Sequence, residues 1–138
     1  MPSVLNPYIS FANNAREAMT FYQSVFGGKL VMQTFGEAQV TQDPAAVNLI
    51  MHAQLTADNG LMFMAADTPP GMVHQPGSMI RMSLGGDNVS ELRGYFEKLA
   101  AGGTVMVPLE QAPWGDTFGM LTDRFGVMWF VNILAPKA

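Results

Sequence analysis

A short phrase occurs twice in this chain at a fixed spacing. Leu55-Thr56, three residues, then Gly60-Leu61-Met62-Phe63-Met64 is matched by Leu121-Thr122, three residues, then Gly126-Val127-Met128-Trp129-Phe130, an offset of 66 (121 against 55). In both copies a glycine stands where the chain must turn, a place that asks for positive φ. Each glycine opens an apolar, aromatic-bearing run suited to a strand buried on two faces. Gly27-Gly28 and Gly102-Gly103 also repeat, at an offset of 75 (102 against 27). The two offsets differ by nine residues (75 − 66), which are lost between helix and hairpin, so the second unit has the shorter central loop. Such a chain folds as two copies of one unit.

The first copy opens with Leu5–Phe11, β-prone apart from Pro7, which favours an edge position. Asn13 or Asn14 then caps a helix over Ala15–Phe26, whose Ala15, Ala18, Met19, Tyr22, Val25 and Phe26 recur at helical spacing. Gly27-Gly28 ends it. Strands follow at Lys29–Phe35, Leu49–Leu55 and Leu61–Ala66, with a polar loop over Gly36–Asn48 and a hairpin turn at Asp58-Asn59-Gly60. Module one therefore runs over about 4–66. Residues 67–78, with Pro69, Pro70, Gly71, Pro76 and Gly77, read as a linker. Module two, about 79–135, repeats the order. Met79–Leu84 is its first strand, and Asn88 with Glu91 forms a capping box for a helix over Val89–Ala101. Val89, Leu92, Phe96 and Leu99 share that helix's inner face. Thr104–Val107, Thr117–Thr122 and Val127–Leu134 complete the module. The expectation is an α+β chain, two βαβββ modules within residues 1–138 as a single domain.

Composition narrows the function. A chain of 138 residues suits one compact domain. The net charge is −4 and the seven basic residues are scattered singly, so nothing gathers phosphates and no nucleic-acid partner is expected. There is no cysteine, hence no thiolate nucleophile or thiolate metal site. Met1-Pro2-Ser3 lacks a basic start and apolar stretch, and no run of about 18 apolar residues occurs, so no membrane partner and a cytoplasmic setting are expected. Neither Leu84-Gly85-Gly86-Asp87 nor Ala101-Gly102-Gly103 has the spacing of a nucleotide-binding loop.

Phe21-Tyr22-x-x-Val25-Phe26-Gly27-Gly28, Trp114-Gly115-Asp116, Gly119-Met120 and Asp123-Arg124-Phe125-Gly126-Val127-x-Trp129 together resemble the PhnB-like branch of the vicinal oxygen chelate (glyoxalase/bleomycin-resistance/dioxygenase) superfamily. The resemblance covers nearly the whole chain. It implies a glyoxalase-like fold whose strands curl into an open half-barrel around a ligand cavity, and a homodimer. Some members carry a demethylubiquinone methyltransferase-like label, for which this sequence supplies no glycine-rich cofactor loop or parallel α/β pattern.

The resemblance also implies a divalent metal acting as Lewis acid, held by His or Glu on inward-facing strand positions. At those positions this chain offers Pro7 or Tyr8, His52 or Gln54, Arg81, and Phe130. Only His52 can coordinate well, with Gln54 a weak oxygen donor, whereas such metals need three or four good donors. No metal cofactor is therefore expected. Alternation puts Ile50, His52 and Gln54 on one face, and Leu49, Met51, Ala53 and Leu55 on the other. His52 is then either a catalytic or ligand-contacting imidazole or a structurally bonded one. Arg81 either pairs an anionic ligand or neutralises Asp116 or Asp67. Trp114, Asp116 and Phe118 resemble a cavity wall, and Met64, Met128 and Phe130 add adaptable apolar lining. Asp123 and Arg124 read as shapers of the hairpin. Three functions fit: a metal-independent small-molecule binder, a metal-dependent lyase or dioxygenase (or an acid–base enzyme built on His52), and an interaction module with a vestigial cavity.

Overall fold

The computed structural model describes residues 3–69 and 71–135; Met1, Pro2, the linker's Pro70 and the last three residues lie outside them. Module one contains β1 (Tyr8–Phe11), α1 (Ala15–Phe26), β2 (Lys29–Thr34), β3 (Ile50–Thr56) and β4 (Met62–Asp67). Module two contains β5 (Met82–Gly86), α2 (Val89–Ala100), β6 (Thr104–Gln111), β7 (Thr117–Thr122) and β8 (Met128–Ile133). The βαβββ order holds in both. Each module is an open four-stranded sheet, ordered β1-β4-β3-β2 in one and β5-β8-β7-β6 in the other. The first strand of each lies parallel to the last and the remaining pairs are antiparallel. The chain divides into two compact units between Pro76 and Gly77.

One helix covers one face of each sheet. The six apolar residues picked out by spacing in α1 are the six that it buries. They pack on β2, β3 and β4, where Tyr22 and Phe26 meet Phe63 in T-shaped pairs with ring centroids 5.5 and 5.9 Å apart. In α2 the buried set is Leu92, Tyr95, Phe96 and Leu99. Val89 was expected among them; at the first position of the helix it stays 49% exposed, and Tyr95 takes its share of the contact. Gly119 on β7 admits Phe96, since a Cβ there would sit 2.9 Å from that ring.

The glycine pairs and the hairpin phrase are one device. A Cβ on Gly28 would collide with the backbone carbonyl of Thr56, and one on Gly103 with that of Thr122. The helix exit thus presses against the turn of the following hairpin in both modules, which fixes both repeats at once. The closing turn of module two carries an extra part. Asp123 Oδ1 accepts from the N–H groups of Phe125 and Val127, and its Oδ2 accepts from Trp129 Nε1 at 2.8 Å. Module one has Phe63 where module two has Trp129. Phe63 brings no indole donor into the core, and Ala57 stands in place of the aspartate. Arg124 donates from Nε and Nη2 to Ala101 O, closing the end of α2, so both charged turn residues are structural.

Further expectations need correction. The apolar runs of β4 and β8 are not buried on both faces. Phe63, Ala65 and Asp67, like Trp129, Val131 and Ile133, are buried, while the alternate residues are half-buried because no helix covers that side. Ile50 does not share the His52 face. Met51 is an extra residue opposite the Gln33–Thr34 step, and this bulge returns Ile50 to the core. The module borders also shift: Asp67 belongs to β4, and β5 begins at Met82, leaving Met79 and Ile80 exposed and Arg81 outside the strand. β6 outruns its expected end at Val107, carrying Pro108 within an edge strand that shifts register twice.

Candidate functional site

The face of each sheet opposite its helix is where functional side chains collect. In module one the pairing sets the rows: Tyr8 beside Met64 beside Gln54, with Ser10 beside Ala66 in the next. His52 and Gln54 therefore do lie on this open face, together with Met64. The Tyr8 ring reaches across β4 to within 6.0 Å of His52. Gln54 Nε2 donates to Thr56 Oγ1 at 3.3 Å. No carboxylate hydrogen-bonds to His52 among the described residues, so no acid–base relay is assembled around it. The register sets Gln33, Val31 and Lys29 of β2 beside His52, Gln54 and Thr56, so this face mixes hydrogen-bonding groups with apolar ones and one cation.

Module two's open face is aromatic. Trp114 stacks on Phe118 with ring centroids 5.4 Å apart, and Phe118 meets Phe130 at 5.8 Å. Met120 pairs with Phe130 and Met128 with Thr122, adding thioethers to the same surface. Trp114 leaves 66% of its surface exposed although it is stacked. The expected residues Trp114, Phe118, Met128 and Phe130 are thus gathered on one sheet face.

Asp116 has a different task from a wall residue. Its Oδ1 accepts from Ala135 N–H at 2.8 Å and its Oδ2 from Asn132 Nδ2 at 3.1 Å, tying the start of β7 to the end of β8. Asp67 fastens module one in the reverse direction: from the end of β4 it accepts from Ile50 N–H and from Ala15 N–H, both at 2.8 Å. It therefore caps α1, whereas Asn14, which occupies the cap position, makes no side-chain capping bond. In α2 the expected cap holds, with Asn88 Oδ1 accepting from Glu91 N–H. Each oxygen of Asp67 and Asp116 accepts from a donor of its own module, and among the described residues neither forms an ion pair with Arg81. Arg81 itself is exposed, one residue before β5.

Sequence reasoning passed over Ser83 and Asn132, which the register places beside Phe130 and Phe118 respectively. Asn132 was legible: module one carries Ala66 at the matching place, so a polar residue there is a departure from the repeat. The donors do not fit a divalent metal. Among the described residues no three His, Asp or Glu side chains converge, and Phe130 supplies hydrocarbon at the last expected ligand position. No helix is long and apolar enough to cross a membrane among the described residues.

The comparisons with known proteins agree with this architecture. The family model of the Glyoxalase/Bleomycin resistance protein/Dioxygenase superfamily matches residues 4–131. Protein YjdN of Escherichia coli is 30% identical, covering 96% of this chain and 97% of that protein. The crystal structure of protein PA1353 from Pseudomonas aeruginosa superposes with a TM-score of 0.84 at 36% identity, over 98% of this chain and all (100%) of that one. A Bacillus cereus PhnB protein, described as a putative 3-demethylubiquinone-9 3-methyltransferase, gives a TM-score of 0.74 at 27% identity, over 96% and 100%. Two βαβββ modules, the paired helix-end glycines and these matches together make the chain a PhnB-like member of the Glyoxalase/Bleomycin resistance protein/Dioxygenase superfamily.

Proposed function

We propose that this protein binds a small, largely apolar molecule on the open faces of its sheets without recruiting a metal. The observation that carries this reading is the Trp114–Phe118–Phe130 row, aromatic surface left uncovered by the module's own helix. An exposed indole already stacked on a second ring is pre-ordered for a flat guest, because little side-chain entropy remains to be lost on binding. Half-buried methionines beside it adapt to the guest's outline. Small-molecule sites are commonly apolar with few polar groups; on module one's own open face His52 and Gln54 are such groups, and on module two's Asn132 is.

Acid–base catalysis by His52 finds less support, since the imidazole faces a tyrosine ring rather than a carboxylate. Calorimetry with naphthyl methyl ether, a neutral flat probe, tests the binding reading. Trp114→Ala should weaken its binding by about 0.5–1.5 kcal/mol, the scale of a lost stacking partner. Unchanged affinity in that variant would remove the aromatic row from the site.

A further inference from the structure

We propose that Asn132, held by Asp116, makes the aromatic face of module two selective for flat molecules bearing an O–H or N–H donor at the rim, such as phenols, indoles or arylamines. This rests on the binding reading above and specifies its ligand. Register puts Asn132 beside Phe118 on one side and Gly85 on the other, with Phe130 two residues before it on the same face of β8. Gly85 has no side chain, so the amide is open on the β5 side.

The orientation of that amide follows from its partner. A carboxylate only accepts, so the atom of Asn132 that meets Asp116 Oδ2 at 3.1 Å is Nδ2. The hydrogen bonds from Ala135 N–H and then from Asn132 hold the Asp116 carboxyl below its usual value against the opposing effect of desolvation, so it is ionised and acceptor-only at neutral pH. Turning the amide over would set its oxygen against the carboxylate, which is repulsive. Asn132 Oδ1 is therefore directed away from Asp116 as an acceptor at the margin of the rings. An incoming donor satisfies it. An incoming carboxylate meets an acceptor backed by a negative charge.

Matched probes separate this from simple apolar binding. Naphthol, its methyl ether and naphthoate share one ring system and differ in the donor and the charge. Burial alone favours the ether, the more apolar of the first two. Proton–nitrogen correlation spectra of isotope-labelled protein give affinities from the Trp114 indole signal, while the Trp129 indole, bound to Asp123, reports that the fold is intact. Naphthol is expected to bind about 5-fold more tightly than the ether, the scale of one neutral hydrogen bond, and naphthoate more weakly than naphthol. Asn132→Leu or Asn132→Ala should bring the naphthol-to-ether ratio to one or below, and Asp116→Asn, which frees the amide to turn over, should reduce it. Equal affinity for naphthol and ether in the unmodified protein overturns the proposal, as does a ratio that survives both Asn132 variants. Binding of both probes with no preference leaves the aromatic site standing and removes only its selectivity. Failure of all three to move Trp114 overturns the binding reading and this inference with it.

Discussion

Gly28→Ala and Gly103→Ala are each expected to cost more than about 2 kcal/mol of folding stability, enough to remove a large part of a small protein's margin. The added methyl would enter the space of a backbone carbonyl, Thr56 in module one and Thr122 in module two. Thr56 and Thr122 are strand residues, and each glycine stands one residue before the strand paired with them, so relief requires moving the start of β2 or β6 off its partner. Gly28 also has φ +89, whereas Gly103 has no positive φ, so the second variant isolates the close approach. Gly60 supplies the control: φ is +95 but nothing lies within 4 Å of its Cβ position, and Gly60→Ala should cost only about 1–2 kcal/mol. Urea midpoints at constant slope decide the matter, and a loss for Gly103→Ala below that of Gly60→Ala would refute the helix-exit contact.

Asp67→Ala should be comparably severe, at about 2–5 kcal/mol. Its carboxylate satisfies two buried backbone donors, Ala15 N–H at the start of α1 and Ile50 N–H at the start of β3, from the last residue of β4. Removing it leaves both donors without a partner in a site closed to water, and each such loss costs about 1–3 kcal/mol. It also takes negative charge from the positive end of a helix dipole. Asp67→Asn keeps one acceptor oxygen and must point an N–H₂ group toward a donor, so it should recover only part of the loss. Hydrogen exchange gives the local readout: the amides of Ala15 and Ile50 should lose protection in Asp67→Asn ahead of the rest of their elements. Full protection of both, with stability within about 0.5 kcal/mol of the parent, would contradict the latch.

The repeat made the module order legible because each turn demands a residue type that few other places demand. The helix in module one was readable to its ends, since its apolar spacing and Gly27 agree. What failed was local and physical. A bulge at Met51 cannot be seen in a run where every residue is strand-compatible, so Ile50 was placed on the wrong face. Met79 and Ile80 read as strand by composition, but pairing with β8 starts only at Met82 opposite Trp129. Asn14 has the right chemistry for a cap, yet a carboxylate distant in sequence took the bond. The open faces were half legible: alternation points to His52 and Gln54, the family resemblance to Phe118 and Phe130, and the adaptability of thioethers to Met64 and Met128. The amide of Asn132 needed the register with Phe118 and the hydrogen bond to Asp116 before it meant anything.

The most direct test of metal-free binding on the aromatic row is a titration with naphthyl methyl ether followed at the two tryptophan indoles, with and without a strong chelator. Trp129 is 1% exposed and held by Asp123, whereas Trp114 is stacked but open. The expected result is a saturable shift of the Trp114 signal, a stationary Trp129 signal and the same dissociation constant in chelator. A probe that leaves Trp114 unmoved, or binding that vanishes when metal is withdrawn, would contradict it.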